Sequence, residues 1–229
     1  MLPIILTSLF LSCNSTENSD EFIKKVKGRY LYNSDETVEV YFKERTLYLK
    51  WRGANTIKPL NIGNETFFVK EMNEKIQFSK NPADNFNYLV LVPKNKNEKV
   101  LYNFKKLADS EKIPSDYLKN NEFDKALKGY LALQKKDSLD TAIKESNFNS
   151  SGYSELRKKN YTKAIHLFEI NVALYPNSSN VYDSLGEAFM KSADTVKAIE
   201  NYKKSLALDS GNKRAKRNIE KLEKKIEKN

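Results

Sequence analysis

The sequence predicts an α+β protein. A small antiparallel β-domain, barrel-like or a curled sheet, is followed by a stack of α-helical hairpins and a C-terminal capping helix. Three observations predict this. Near the C-terminus residues recur at a spacing of 34, Gly152 as Gly186, Ala164 as Ala198, Phe168 as Tyr202 and Leu174 as Leu208. Residues 22–107 instead read as short runs alternating apolar and polar side chains, joined by Asn-rich connections. Leu2–Ser12 is an apolar run that ends at the single cysteine, Cys13. A fixed period of this size marks stacked supersecondary units, and alternation marks half-buried strands.

The N-terminal run is too short to span a bilayer but has the length of a signal-peptide core. The expected organisation begins with a signal peptide over 1–12 and a polar tether over 13–21. Cys13 has no second cysteine to pair with. The segment Leu9-Phe10-Leu11-Ser12-Cys13 resembles the lipobox of bacterial lipoproteins. That resemblance implies cleavage before Cys13, acyl chains such as palmitate on its sulfur and new amino group, and a lipid-anchored place in the bacterial cell envelope, at the outer membrane or the periplasmic face.

In residues 22–107, Gly28-Arg29-Tyr30-Leu31 is expected to open the sheet, and Thr37–Lys43 and Thr46–Arg52 form a hairpin across Glu44-Arg45. Leu47, Leu49 and Trp51 fall on one face, with Tyr48, Lys50 and Arg52 on the other. Thr66–Lys70, Lys75–Ser79, Tyr88–Val92 and Lys99–Phe104 continue the series, giving seven or eight strands. The order Gly28-Arg29-Tyr30, Leu47-Tyr48-Leu49, Pro59-Leu60, Phe67-Phe68 and Ile76-Gln77-Phe78 resembles the lipocalin-like β-domain appended to serine hydrolases related to β-lactamases.

The helical part covers 108–229, with a looser unit at 115–136, repeats at 145–178 and 179–212, and a cap at 213–229. Gly152 and Gly186 lie on the first helix of each hairpin, and Ala164 and Ala198 on the second, where helices must approach closely. Phe168 and Tyr202 follow the alanines by four residues on the same face and fill the groove left open. Pro176 stops the second helix, and Asn177-Ser178-Ser179 offers capping side chains to the next. In the looser unit Ala126 and Tyr130 repeat the alanine-plus-aromatic pair, about four residues out of register. Ala215, Ile219, Leu222 and Ile226 form one apolar stripe on a charged helix, as a terminal cap requires.

These units resemble the tetratricopeptide repeat (TPR), with Tyr182, Leu185, Gly186, Phe189, Ala198 and Tyr202 in the family pattern. Glu155 departs from it where an aromatic residue is usual, as does Ser210 where proline is usual. The resemblance implies a groove lined by successive first helices. Helical phase puts Asn149, Tyr153, Arg157, Asn180, Asp183, Glu187 and Met190 there. The lysines that hold a terminal carboxylate in some relatives are missing, which argues against a chaperone-tail receptor.

Composition narrows the function. The chain has 229 residues and a net charge of +10. Residues 22–105 hold 16 basic against 9 acidic side chains, and the last 19 residues 8 against 3, so the repeats themselves are nearly neutral. The basic helix 213–228 reads as a solvated cap, and no nucleic-acid partner is expected. His166, the only histidine, is a helix-flank residue, which excludes a His-rich metal centre. No nucleophile elbow or phosphate loop appears. Ser210-Gly-Asn-Lys213 matches Ser-x-x-Lys literally, but in an inter-helix turn. The expectation is a non-enzymatic, envelope-anchored module, without cofactor or metal, that docks a protein or peptide partner. The alternatives are a β-domain holding a small apolar or glycan ligand against Tyr48, Trp51 and Phe68, or an accessory subunit of a separate serine hydrolase.

Overall fold

The computed structural model describes residues 17–95 and 97–227, so Cys13 and the expected signal lie outside the described residues. The chain divides into two compact units, one holding 17–32 and 37–109, the other 33–36 and 110–227.

The first unit opens with helix α1 (Asp20–Val26), whose first two residues fall in the expected tether and the rest in the expected β-domain. Ser19 caps it, accepting a bond from the Phe22 amide at 3.1 Å. Asp20 and Glu21 in the first turn and Lys24 and Lys25 in the last suit the helix dipole. Asn18 donates to the Arg45 carbonyl at 2.7 Å, and Arg45 pairs with Asp20 at 2.9 Å. Residues 17–21 are therefore fastened to the sheet, because Phe22 and Val26, four apart, bury their side chains in its core.

Among the described residues nine strands follow: β1 (Gly28–Asn33), β2 (Glu36–Lys43), β3 (Thr46–Trp51), β4 (Ala54–Ile57), β5 (Leu60–Gly63), β6 (Thr66–Val69), β7 (Glu74–Lys80), β8 (Asn87–Leu91) and β9 (Phe104–Lys106). They form one curled antiparallel sheet, a half-barrel, in the order β4-β3-β2-β1-β9-β8-β7-β6-β5. The β2–β3 turn sits where expected. Glu44 and Arg45 both take left-handed φ angles, 45° and 64°, which a two-residue turn of matching twist requires. Val38, Val40, Leu47, Leu49, Ile76 and Phe78 bury one face. Phe22 packs onto that face, stacked on Phe67 at 6.0 Å and edge-on to Phe78 at 5.8 Å, so α1 fills the curl.

In the second unit the helices are α2 (Pro114–Lys119), α3 (Phe123–Lys136), α4 (Glu145–Arg157), α5 (Tyr161–Leu174), α6 (Ser179–Lys191), α7 (Thr195–Leu208) and α8 (Lys213–Ile226), with a 3-10 turn at Thr141–Ile143. The starts of α4, α6 and α8 are 34 apart, as are those of α5 and α7. A Cβ on Gly152 would lie 2.5 Å from Phe168, and one on Gly186 3.0 Å from Tyr202, so each glycine admits the ring beneath it. Lys159 and Ala193 close the two hairpin turns at φ 63° and 68°, and Asn121 does the same between α2 and α3 at φ 59°. After each, an amide returns to the helix: Asn160 to the Glu155 carbonyl, Asp194 to Phe189 and Glu122 to Tyr117, at 2.8–3.0 Å.

The hairpin α2–α3 thus shares the design but not the stacking. α5 packs on α6 and α7 on α8, whereas α3 meets α5 and the 3-10 turn. The sequence explains the break. α6 offers Leu185 and Ala188 to the helix before it, while α4 carries Ser151 and Ser154 at those places. Ser178 holds the N-cap position of α6 but makes no side-chain capping bond, contrary to expectation. Glu155, in the family's aromatic position, is buried and accepts from Asn160 at 2.8 Å and Lys158 at 3.0 Å. These bonds hold its carboxyl below the usual range and tie off the α4–α5 turn.

Candidate functional site: the first-helix face

Helices α4, α6 and α8 are repeat-equivalent, and their polar side chains meet through one residue. Arg214, in the first turn of α8, donates from Nε to Asp183 Oδ2 at 2.7 Å and from Nη1 to Glu187 Oε2 at 2.6 Å. Its Nη2 also bonds Asp183, and reaches the Tyr153 hydroxyl at 3.2 Å. Tyr153 lies 3.2 Å from Glu187 Oε2 and 3.3 Å from Ser184 Oγ. Burial alone would lower the guanidinium's pKa, but the bonds to Asp183 and Tyr153 outweigh it and the net shift is upward. The cation is fixed, and one network links three helices.

Two members of the expected groove share a further property. Asn149 and Asp183 are 34 apart, and the Oδ1 atom of each is buried with no hydrogen-bond partner. Asp183 is 6% exposed and Asn149 half-buried. A buried unpaired acceptor costs about 1–3 kcal/mol, and here the cost recurs at one repeat position.

The remaining groove residues separate. Asn180 is exposed and donates to Glu145 Oε1 at 2.8 Å, bracing α6 to α4. Arg157 is exposed at the last residue of α4. Met190 packs with Tyr202 in the apolar cluster of α5–α8 rather than beside the polar residues. Tyr153, Asp183 and Glu187 therefore come together, while Arg157, Asn180 and Met190 stand apart. Arg214 was missed from sequence. It is 34 residues after Asn180, so carrying the period into the cap would have found it.

In the β-unit, Tyr48, Trp51 and Phe68 do not converge. Tyr48 stacks on Tyr41 at 5.5 Å on one face, and Trp51 packs on Tyr32 at 5.2 Å on the other. Phe68 pairs across strands with Leu60 and Lys75. Lys50 is engaged by Glu39 at 3.1 Å, and Arg52 lies over the Trp51 ring at 4.6 Å. In the helical unit His166 bonds Glu169 at 3.0 Å and stacks on Phe123 at 3.8 Å. Among the described residues no group of three or more His, Cys, Asp or Glu side chains converges as metal ligands, and no helix is long and apolar enough to cross a membrane.

The helical unit is TPR-like: hairpins in a 34-residue register, closed by Gly–aromatic contacts. No family model and no curated protein matches the chain. Among solved structures it is similar to the first TPR of Spaghetti (RPAP3) bound to an HSP90 peptide, with 18% identity, 49% of this chain and 86% of that one covered, and a TM-score of 0.36. It is similar to the Sgt2 TPR domain from Aspergillus fumigatus, with 21% identity, 50% and 74% covered, and a TM-score of 0.36. It is also similar to a MamA mutant, with 18% identity, 49% and 80% covered, and a TM-score of 0.39.

Proposed function

We propose that the helical unit is a non-enzymatic docking module that holds an extended peptide segment of a partner protein along α4, α6 and α8. The observation that carries this reading is the polar network in which Arg214 joins Asp183, Glu187 and Tyr153 across α4, α6 and α8. The network around Arg214 supplies the rigidity such docking needs, since a pre-ordered surface loses less entropy on binding. The test is selection from a random peptide library on the full chain, followed by affinity measurement. Asn149→Ala should weaken selected peptides about tenfold, the cost of one charge-free hot-spot contact. Peptides that bind parent and Asn149→Ala protein equally would place docking elsewhere.

The same reading puts the module at the bacterial envelope, anchored through lipid on Cys13. Its support is the apolar run ending at Ser12-Cys13. Cys13→Ala should move the protein from the membrane fraction to the soluble fraction; membrane association that survives the change would remove the anchor from the proposal.

A further inference from the structure

The 34-residue register also exposes two equivalent junctions that carry different side chains. At the first junction, Leu156, Tyr161 and Met190 stand at the end of α4, the start of α5 and the end of α6. Leu156 and Met190 pack against the apolar cluster there, and Tyr161 is half-buried. Moving each by 34 gives the second junction, with Met190, Thr195 and Lys224 around the α6–α7 turn and the end of α8. An aromatic ring has become a threonine, and an inward thioether an exposed ammonium. The result is a cleft of about 560 Å3 lined by Met190, Thr195, Leu222, Lys221, Lys224 and Lys225.

Its chemistry is two-sided. Met190 and Leu222 belong to the apolar cluster and form an apolar floor. Val196 and Ile226, 61% and 50% exposed, each adjoin a lining residue in sequence. Lys221, Lys224 and Lys225 are exposed, and among the described residues none makes an ion pair. Glu223, adjacent to Lys224, is taken by Lys203 at 2.9 Å. The first-helix network centred on Arg214 does not include any lining residue of this cleft.

We propose that this cleft is a second docking site, for an acidic peptide segment with a large apolar anchor. The anchor would occupy the cleft over Met190 and Leu222, and the flanking carboxylates would meet the three lysines. A cleft of this size admits a few side chains and buries an anchor away from water, which is where binding energy concentrates.

The probe is a fluorescein-labelled synthetic peptide, Glu-Asp-Glu-Leu-Phe-Asp-Glu-Glu, titrated against the full chain by fluorescence anisotropy. Binding should weaken as salt rises. Replacing Leu-Phe by Ala-Ala should cost about tenfold, as should Thr195→Tyr, which refills the cleft, and the combined Lys221→Glu, Lys224→Glu and Lys225→Glu. Asn149→Ala should leave this binding unchanged, which separates the site from the first-helix face. Thermal melts by circular dichroism confirm that each variant folds. The proposal is overturned if the Ala-Ala peptide binds as well as the parent peptide, or if Thr195→Tyr has no effect. It is also overturned if phosphatidylglycerol vesicles bind while the peptide does not, since the lysines would then serve a membrane.

Discussion

Gly152 and Gly186 hold the same repeat position in different surroundings. A methyl on Gly152 would meet the Phe168 ring at 2.5 Å, closer than carbon atoms approach, while on Gly186 it would meet Tyr202 at 3.0 Å. Both rings are fully buried and have little room to retreat. Alanine gains about 1 kcal/mol of helix propensity over glycine, and overpacking costs about 1–3 kcal/mol. At Gly152 the clash should win, and at Gly186 the two should nearly cancel. Urea denaturation should therefore find Gly152→Ala clearly less stable than the parent and Gly186→Ala close to it. A Gly152→Ala protein at least as stable as the parent would show that the ring moves freely.

At the scale of elements, the helical unit borrows a short segment from the strand region. Residues 33–36 group with it, and Asp35 ties α2 to α3. Its Oδ1 accepts from the Ser115 amide at 2.6 Å, and its Oδ2 from the Tyr130 hydroxyl at 2.6 Å. Burial pushes the Asp35 carboxyl up to about 6 in spite of these bonds. The sign follows from proton binding. Between about pH 4 and 6 the folded state keeps a proton that the unfolded chain has released, so this group's contribution to stability falls as pH rises through that window. The loss is about 1–3 kcal/mol. Asp35→Asn removes the titration. The stability of the parent relative to Asp35→Asn should decline from pH 4 to 6 and level off above, measured by denaturant midpoints. A difference that stays flat or grows across that window would refute the burial argument.

Over the whole molecule, the repeat stack is incomplete by itself. Phe148, Leu167, Ile170 and Leu174, from α4 and α5, share a core with Ala126 and Tyr130 of α3. Removing α2 and α3 would expose these four large side chains, each worth about 1.5–3 kcal/mol when buried. That sum rivals the net stability of a small domain. The other end is closed differently. Ala215, Ile219 and Leu222 of α8 repeat the packing of Val181, Leu185 and Ala188, but Glu220 stands where the register puts the next glycine. A ring cannot pack there as it does beneath Gly152 and Gly186, so α8 caps the stack. Residues 145–229 alone should melt broadly at low temperature, and residues 110–229 cooperatively. A sharp, fully helical melt of the shorter piece would show that α2 and α3 are dispensable.

The period, the hairpins and the cap were legible in the sequence because each rests on a local steric demand. A glycine under a ring, an alanine at a helix crossing and a one-sided apolar stripe can each be read from spacing. The β2–β3 hairpin was legible for the same reason, since alternation over Thr46–Trp51 fixes which side chains face inward. Where strands do not bury their side chains, spacing carried no information. β5 is exposed throughout, and β4 buries only Ile57, so neither was foreseen. Lys99–Phe104 alternates, yet Val100 and Leu101 are exposed and pairing begins only at Phe104. The polar stretch around Ser19 read as a tether, although Asp20-Glu21 with Phe22 and Val26 four apart is a short helix's signature. Of the candidate site, sequence determined the line of first helices; of the seven residues expected there, Tyr153, Asp183 and Glu187 come together. Tertiary structure alone decided that Arg214 crosses from the cap to bind Asp183 and Glu187, that Met190 turns inward, and that Asn149 and Asp183 keep an acceptor unpaired. Hydrogen bonds between helices depend on the distances that packing sets, and those distances are fixed only when the whole stack closes.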